Sequence, residues 1–498
     1  MSKMKITGIA RRLNIILMIF TIICVGIQLF VNPYIGLANN GDFGRLSFVV
    51  GLDYLEDPYL NYEQSFIHYM IPTFKFITPM ETGFVSSASL LLKIAVALHY
   101  LFAYDTNIFD IRWLGLVYFL IYTIAIILAF NLIKKMKFLK SIIIGIFLFC
   151  FFTDVTHVVY FNTFYGEAAS LVFLVLFFTL AFTFITCDCF RSIITVYICE
   201  IICAYFFLLA KYQNILSLFG ILIILCMQLD RILKQPQLKH IFKLKFMRIG
   251  TIICLNLLFT IPVFVCISLP NSSNAPTTAN VVLKDILLLS KEPEKILTSA
   301  GYSEKEIALI KPHIGYNIFE GDPDPELKTM FYDSTKFNRS KEIKMLLTEP
   351  EIFFRLITLK DEQLFRFPKY GTHHKGYNTQ PDYFDQRFSA YSKVSQVITW
   401  NHWCFYVSVM MLIVFYAVRK ILYFKDSNYF LFYCILLVAC LISFLSAVTV
   451  ILGDSSADSI KHFYLTNETF YFAFYYTVGD LFFNSFYKKF EISKIIKR

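Results

Sequence analysis

The chain has 498 residues, of which 57% are hydrophobic and only 16% are charged, and its mean hydropathy is +0.59. Soluble globular domains do not have this composition. The net charge of +10 does not indicate nucleic-acid binding, because Lys and Arg are concentrated in short loops between apolar blocks, as in membrane proteins. The sequence therefore predicts an all-α polytopic membrane protein with membrane lipid, and no nucleic acid, as a partner.

The apolar blocks are about 20 residues long, the length that crosses a hydrocarbon core of ~30 Å. Ten of them are predicted to span the membrane: 13–33, 114–133, 141–160, 167–186, 192–210, 214–229, 249–269, 400–418, 428–450 and 465–485. The segments then assigned to the cytoplasm, with both termini among them, hold 23 of the 46 Lys and Arg residues. This asymmetry predicts the orientation in the cell membrane.

Residues 86–102 are ambiguous, because they are apolar but short and are interrupted by Lys93 and His99. A span here would place the lysine-rich loop 134–140 outside the cell. We therefore predict an interfacial helix that lies along the outer leaflet.

The predicted organisation has three parts. Residues 1–269 hold seven spans and a first outer loop over 34–112, residues 270–398 form an extracytoplasmic domain, and residues 399–498 hold the last three spans. The central domain is predicted to be largely helical, from an amphipathic run at 281–289 and from plausible helix starts at Pro293 and Ser303.

The first candidate site is the stretch from Asn39 to Arg45, which follows the first span directly. Asn39, Asn40 and Gly41 are turn-forming residues that precede a single acid, Asp42. Arg45 adds a cation three residues later. Polar residues after a span often lie in the headgroup region, but glycine here permits a sharp bend that aims the carboxylate back at the membrane surface.

Two further candidates lie in short outer turns. The stretch 160–167 contains Asn162, Tyr165 and Glu167, and an acid at the edge of a very apolar span indicates a functional cavity unless it only caps the helix. The turn 211–214 places Lys211, beside Gln213 and Asn214, where an anionic headgroup would lie. The alternative for this lysine is simple snorkelling.

The fourth candidate is the entry to the last span, residues 453–462. It contains Asp454, Asp458, Lys461 and His462. Lys461 and His462 can donate charge-assisted hydrogen bonds to phosphate oxygens, and we expect His462 to titrate near neutral pH. A solvated loop with an interfacial anchor is the alternative.

Other ionisable residues are weaker candidates. His373 and His374, with Asp382 and Asp385, have no standard spacing for a metal site, so no metal site is assigned. Glu200 lies in the middle of a span and must face protein or water.

Together these stretches resemble the GT-C superfamily of integral-membrane glycosyltransferases, and more closely the WsfD-like surface-glycan hexose transferases of Gram-positive bacteria. The similarity is carried by Asn39–Arg45, Tyr160–Glu167, Lys211–Asn214 and Gly453–His462, with weaker similarity at Val281–Gly301 and Tyr370–Ser392. The order of the motifs is more specific than any one of them.

The resemblance implies inverting transfer of a hexose from a polyprenyl-phosphate donor to a cell-surface glycan or lipid-linked acceptor outside the cell. It implies that Asp42 is the general base and that Glu167 is a second catalytic or sugar-binding acid. The expected donor-phosphate ligands are Arg45, Lys211, Lys461 and His462. The expected substrate contacts are Asn40, Asn162, Tyr165, Gln213, Asn214, Asp454 and Asp458.

No cofactor is expected with certainty, and a divalent metal stays open because GT-C relatives differ in their metal requirement. A transporter or flippase of lipid-linked sugars is the main alternative function, although such proteins tend to have repeated halves and ionisable residues at mid-membrane. A scaffold that acts through the 270–398 region is a third.

Overall fold

The structure is a computed structural model of the full chain. It describes residues 3–55, 67–80, 85–103, 107–134, 136–187, 189–235, 244–267, 271–318, 324–368, 370–377, 380–399, 402–423, 427–453, 455–456 and 459–495. Its secondary structure is predominantly helical, so the chain is an all-α polytopic membrane protein apart from one small sheet.

The first half of the chain contains nine helices and three short strands within the described residues. In chain order they are α1 (Lys3–Phe30), α2 (Gly44–Ser47), β1 (Leu52–Tyr54), β2 (Thr73–Phe76), α3 (Ser87–Phe102), β3 (Ile108–Asp110), α4 (Arg112–Ile133), α5 (Phe138–Thr153), α6 (Val155–Val158), α7 (Gly166–Thr186), α8 (Phe190–Ala210) and α9 (Leu218–Leu233).

The second half has helices joined by loops, with no strand among the described residues. Its helices are α10 (Leu244–Ile267), α11 (Asn271–Asn280), α12 (Leu287–Leu289), α13 (Pro293–Ser299), α14 (Glu304–Ile310), α15 (Pro325–Phe331), α16 (Arg339–Thr348), α17 (Glu351–Leu359), α18 (Ala390–Ile398), α19 (His402–Tyr423), α20 (Ser427–Gly453), α21 (Ser459–His462) and α22 (Tyr464–Ile495).

Among the described residues, seven helices are long and apolar enough to cross a membrane, and an eighth crossing results if one bent pair counts as a single span. That pair is α5 with the helical segment after it, Val155–Asn162, and the bend between them is 42°. The predicted spans 249–269 and 465–485 fall on α10 and α22, where the described residues do not meet the same criterion. The number of ten spans therefore stays a prediction.

Helix α7 lies at the centre of the bundle. It packs against α8 on one side and α4 on the other, and 78% of its most apolar stretch is buried. A helix that is apolar on all sides and surrounded by other helices is typical of the interior of a membrane bundle. Its first turn, which carries Glu167, is therefore held in a fixed place relative to its neighbours.

A three-stranded antiparallel sheet, in the order β1-β2-β3, lies in the segment that follows the first span. Leu52 pairs with Phe76, and Thr73 pairs with Asp110. The sequence analysis did not predict this sheet, because its strands have only three or four residues and their pairing is set by contacts distant in sequence. The 86–102 stretch does form a helix, α3, whereas its interfacial position stays a prediction.

In the 270–398 region, helical structure is present at three places where the sequence predicts it: the run 281–289, Pro293 and Ser303. Pro293 begins α13, and Ser303 caps α14 with a capping box in which Ser303 and Glu306 bond each other's backbone N–H groups. The run at 281–289 is a π-helical turn, Val281–Ile286, continued by α12.

This polar region is attached to the end of α20 by buried and half-buried cations. Lys360 Nζ donates to the carbonyl oxygens of Val450 and Ile451 at 3.1 and 2.7 Å, and Arg339 Nη2 donates to that of Gly453 at 2.7 Å. The last carbonyls of a helix lack intrahelical partners and attract cations. The attachment fixes where the chain leaves α20 toward Lys461.

We predict that Lys360→Met lowers the free energy of unfolding by roughly 3 kcal/mol, because breaking a buried ion pair leaves one charge uncompensated. Lys360 and Asp285 are both 0% exposed, and Nζ lies 3.7 Å from Asp285 Oδ2. Denaturant unfolding of the solubilised protein measures the change.

Lys344→Met on the exposed face of α16 is the matched control, since surface substitutions usually change stability by less than about 0.5 kcal/mol. The double variant Lys360→Met, Asp285→Leu removes both charges and is expected to recover part of the loss. Equal stability of the Lys360 and Lys344 variants would contradict the assignment.

Candidate functional site

The Asp42 carboxylate is presented by a tight turn at the end of the bundle that also carries the polar region. Asn39 Oδ1 accepts hydrogen bonds from the backbone N–H groups of Gly41 at 2.8 Å and Phe43 at 3.2 Å. Gly41 has φ of +105°, a conformation that side-chain-bearing residues rarely adopt. The sharp bend predicted for this glycine is therefore present, and Asp42 follows it directly.

Aromatic side chains pack against each other next to this turn and fix its position. The Phe43 ring is 1% exposed and meets the Phe164 and Tyr165 rings at centroid distances of 5.3 and 5.0 Å. Asn39 Nδ2 also donates to the Tyr54 hydroxyl in β1 at 2.6 Å. The small sheet and the 160–167 segment thus fix the position of Asp42 together.

Two cations contact the Asp42 carboxylate. The buried ammonium of Lys461 bonds Oδ2, and Arg45 Nη1 lies 3.2 Å from Oδ1. Burial alone would raise the pKa of the Asp42 carboxyl, but the charges of Lys461 and Arg45 hold that pKa well below its usual range. Asp42 is therefore ionised and ion-paired at neutral pH.

A second ion pair lies at the start of α7. Lys211 Nζ is 2.7 Å from Glu167 Oε1, and the Glu167 side chain is only 4% exposed. A Cβ atom at Gly166 would be 2.9 Å from Lys211 Cγ and 3.0 Å from the Ala210 carbonyl oxygen, so only glycine allows this close approach. Glu167 thus pairs with the lysine instead of only beginning a helix.

His462 joins this second pair. Its Nδ1 is 3.3 Å from Lys211 Nζ and 3.1 Å from the Gln213 Nε2 atom, which assigns Nδ1 as the acceptor. Burial, together with the cations Lys211 and Lys461, lowers the pKa of His462 well below its usual value. The expectation that His462 titrates near neutral pH is therefore wrong, because a third positive charge is unfavourable beside two lysines.

Tyr165 connects the two groups of charges. Its hydroxyl donates to the Ala38 carbonyl at 2.8 Å and accepts from the Asn40 backbone N–H at 2.8 Å, and the Lys461 ammonium lies 4.8 Å from its ring centroid. Residues from four separate stretches of sequence therefore form one continuous cluster. The cluster contains two carboxylates, three cations and one neutral histidine.

The other expected substrate contacts have different surroundings. Asn162 Nδ2 donates to the Leu29 and Ile35 carbonyls, and Asn214 Nδ2 donates to Ser170 Oγ and the Phe207 carbonyl. Both amides are buried and connect backbone segments beneath the cluster. Asp454 and Asp458 lie outside the described residues.

His373 of the 270–398 region pairs with Asp385, whereas Asp382 pairs with His68, which lies outside that region. His373 Nε2 is 2.9 Å from Asp385 Oδ2, and His68 Nδ1 is 2.8 Å from Asp382 Oδ1. In the ranges that the structure describes, no three His, Cys, Asp or Glu side chains are grouped closely enough to hold a metal ion.

Mid-membrane Glu200 faces protein, as expected. It is fully buried, and Gln228 Nε2 donates to its two oxygens at 3.0 and 2.9 Å. This pair joins α8 to α9.

Sequence reasoning missed a buried acid and histidine pair that joins α6 to α22. His157 Nε2 lies 3.0 Å from Glu468 Oε2, with side chains 0% and 4% exposed, and Asp154 accepts a 2.9 Å hydrogen bond from the Ser392 backbone N–H. The available signal was Glu468 itself, an acid inside an apolar segment. These contacts hold α6, α22 and α18 together.

The cluster is suited to binding an anion beside a carboxylate. Lys461, Arg45 and Lys211 are donors that can contact phosphate oxygens, while Asp42 is 23% exposed and can accept a proton from a neighbouring hydroxyl. The rings of Phe43, Phe164 and Tyr165 limit the approach of water to the cluster from the side of the helical bundle. Electrostatic interactions are stronger in such a site than in bulk solvent.

No curated protein and no solved structure matches the chain. A family match extends over residues 2–498, which is nearly the whole chain, and the family is described as the YfdI N-terminal transmembrane domain. This is a GT-C-like membrane glycosyltransferase family, in agreement with the grouping of carboxylates and cations at one end of a helical bundle. The chain belongs to the YfdI transmembrane-domain family of GT-C-like glycosyltransferases.

Proposed function

We propose that the protein is an inverting hexosyltransferase that uses a polyprenyl-phosphate sugar as donor, as in the WsfD-like surface-glycan transferases, and that the cluster around Asp42 is its active site. The observation that carries the proposal is the Asp42 carboxylate between Lys461 and Arg45. It places a proton acceptor beside two cations at one membrane end of the bundle. The acceptor is proposed to be a cell-surface glycan or a lipid-linked glycan.

In the proposed reaction the acceptor hydroxyl oxygen forms a bond to the anomeric carbon as the bond from that carbon to the phosphate oxygen breaks. Asp42 takes the hydroxyl proton, and polyprenyl phosphate leaves with the electron pair of the broken bond. A positioned base contributes typically 10²–10⁴-fold to such a step. Cations aimed at the leaving phosphate stabilise its growing charge.

The ion pairing of Asp42 suggests how donor binding prepares the base. A carboxylate with a strongly lowered pKa is a poor proton acceptor. A phosphate that enters the cluster competes for Lys461 and Arg45, and the pKa of Asp42 rises as these cations turn toward the donor. Donor binding thereby strengthens the base at the moment when the acceptor hydroxyl needs it.

The Lys211–Glu167 pair completes the proposed site. Lys211 shares its donors between Glu167 and the donor phosphate, and Glu167 and Gln213 hold sugar hydroxyls. Neutral His462 contributes a hydrogen bond to the substrate without adding charge. We place this end of the bundle on the extracytoplasmic face, on the basis of the Lys and Arg asymmetry of the loops.

The test is an assay of the full chain in proteoliposomes with a polyprenyl-phosphate hexose and isolated cell-surface glycan. Sugar incorporation with release of polyprenyl phosphate supports the transferase. Movement of the donor across the bilayer without transfer would favour the flippase. Absence of both would contradict each of these functions, and the assay with and without EDTA decides whether a divalent metal is required.

A further inference from the structure

A cavity of about 490 Å³ opens beside α18 and the start of α19. Its lining includes no member of the Asp42 cluster. It is formed by the start of α6, by residues 364–368, by the loop before α18, and by one face of α18 itself. Ligand cavities in proteins commonly have volumes of about 300–1,000 Å³.

Basic side chains outnumber acidic ones in the lining. Arg366, Lys393 and His402 face one acid, Asp382, and that acid is already paired with His68 at 2.8 Å. Arg366 and His402 each have a carboxylate 3.3 Å away, on Glu362 and Asp361. Within the described part of the chain, no carboxylate lies within ion-pair distance of the Lys393 ammonium.

The cavity lies beside the start of a candidate membrane span. Helix α18 ends at Ile398, and the apolar span α19 begins at His402. One face of α18 presents Lys393 and Gln396 to the cavity, while Val394 and Val397, 52% and 81% exposed, lie on its open face. A helix with exposed valines beside a lysine, at the end of a span, is typical of the membrane interface.

The remaining lining is aromatic and polar. Phe365, Phe367 and Phe384 form apolar walls, and Gln386, Gln396 and Thr399 add side chains that can donate hydrogen bonds. A lipid headgroup presents a phosphate next to methylene and glycerol groups, so it matches a cation beside aromatic walls. Lysines near an anionic membrane surface favour such binding.

We propose that this cavity is a binding site for the phosphate headgroup of an anionic membrane lipid, with Lys393 as its principal contact and Arg366 as its second. The lipid chains extend over the exposed valines of α18 into the bilayer. The site is separate from the Asp42 cluster and does not depend on glycosyl transfer. Asp382 and Phe384 line the cavity, and Asn40 Nδ2 lies 3.4 Å from the hydroxyl of Tyr370 in the same part of the chain. A bound lipid is therefore also expected to support the surroundings of Asp42.

The test is native mass spectrometry of the full chain in detergent, titrated with dioleoylphosphatidylglycerol or with dioleoylphosphatidylcholine. We expect about tenfold tighter binding of the anionic lipid, since a hydrogen bond to a charged group contributes about 1.5–3 kcal/mol. Lys393→Gln is expected to remove this preference, and Arg366→Gln to reduce it.

Lys344→Gln, an exposed lysine of α16 outside the cavity, is the matched control and is expected to keep the full preference. Equal binding of the two lipids by the unmodified chain would overturn the proposal, as would an unchanged preference in Lys393→Gln or an equal loss in Lys344→Gln. A competition with inorganic phosphate completes the test. Displacement of the anionic lipid by phosphate at the lipid's own concentration would mean a free-anion site and would also overturn it.

Discussion

Replacement of Asp42 by asparagine is expected to lower the turnover number for sugar transfer by about 10²–10⁴-fold, the contribution of a general base. The amide has the same shape but cannot take the acceptor proton. The KM for the donor is expected to stay the same or fall, because Lys461 and Arg45 lose the carboxylate that competes with phosphate. Initial rates over a range of donor concentrations separate the two parameters.

Asp53→Asn is the matched control. Asp53 lies in β1, in the same segment of chain, and its carboxylate is 3.7 Å from Lys75 Nζ. Transfer by this variant is expected to be close to that of the unmodified protein. Near-normal turnover in Asp42→Asn, with the protein folded in the membrane, would remove Asp42 as the base.

Lys461→Met is expected to have the second largest effect, a rise of about tenfold or more in the KM for the donor. A charge-assisted hydrogen bond to phosphate contributes about 1.5–3 kcal/mol, and this ammonium is 1% exposed in direct contact with Asp42. Its loss also removes the largest favourable charge on Asp42. Burial then raises the pKa of the carboxyl, so activity is lost at a higher pH on the acid side than in the unmodified protein.

The pH dependence distinguishes this role from a merely structural one. Asp42 in the resting protein has a lowered pKa, so it stays ionised as the pH falls well below neutral, and its protonation is expected to limit activity at a higher pH in the variant than in the unmodified protein. Lys461→Arg keeps the charge and is expected to restore much of the donor affinity, while Lys75→Met, which removes a half-exposed lysine of β2, is the control. An unchanged donor KM and acid limit in Lys461→Met would contradict the assignment.

Much of the fold was predictable because it depends on local properties. Apolar length and loop charge predicted the helices, and the predicted helix start at Ser303 is confirmed by α14. The small sheet was not predictable, because strands of three or four residues carry little signal and β2 pairs with partners 20 or more residues away on both sides.

The sequence predicted which ionisable residues contribute to the candidate site, but not which of them contact each other. Four short stretches each contributed ionisable residues at the end of an apolar block, and the structure brings Asp42, Arg45, Glu167, Lys211, Lys461 and His462 together. The protonation of His462 could not be read from sequence. It depends on two lysines that are distant in sequence but adjacent in space.

The sequence alone determined that this protein is a helical membrane protein and which turns carry its charges, because hydropathy and charge act on each segment separately. Only the tertiary structure decided which charges meet. Asp42 and Lys461 are 419 residues apart, and their contact depends on the α7-centred bundle and on the attachment of the polar region to the end of α20. Burial and neighbouring charge are properties of the folded arrangement, and they set the ionisation and the proposed chemistry of the site.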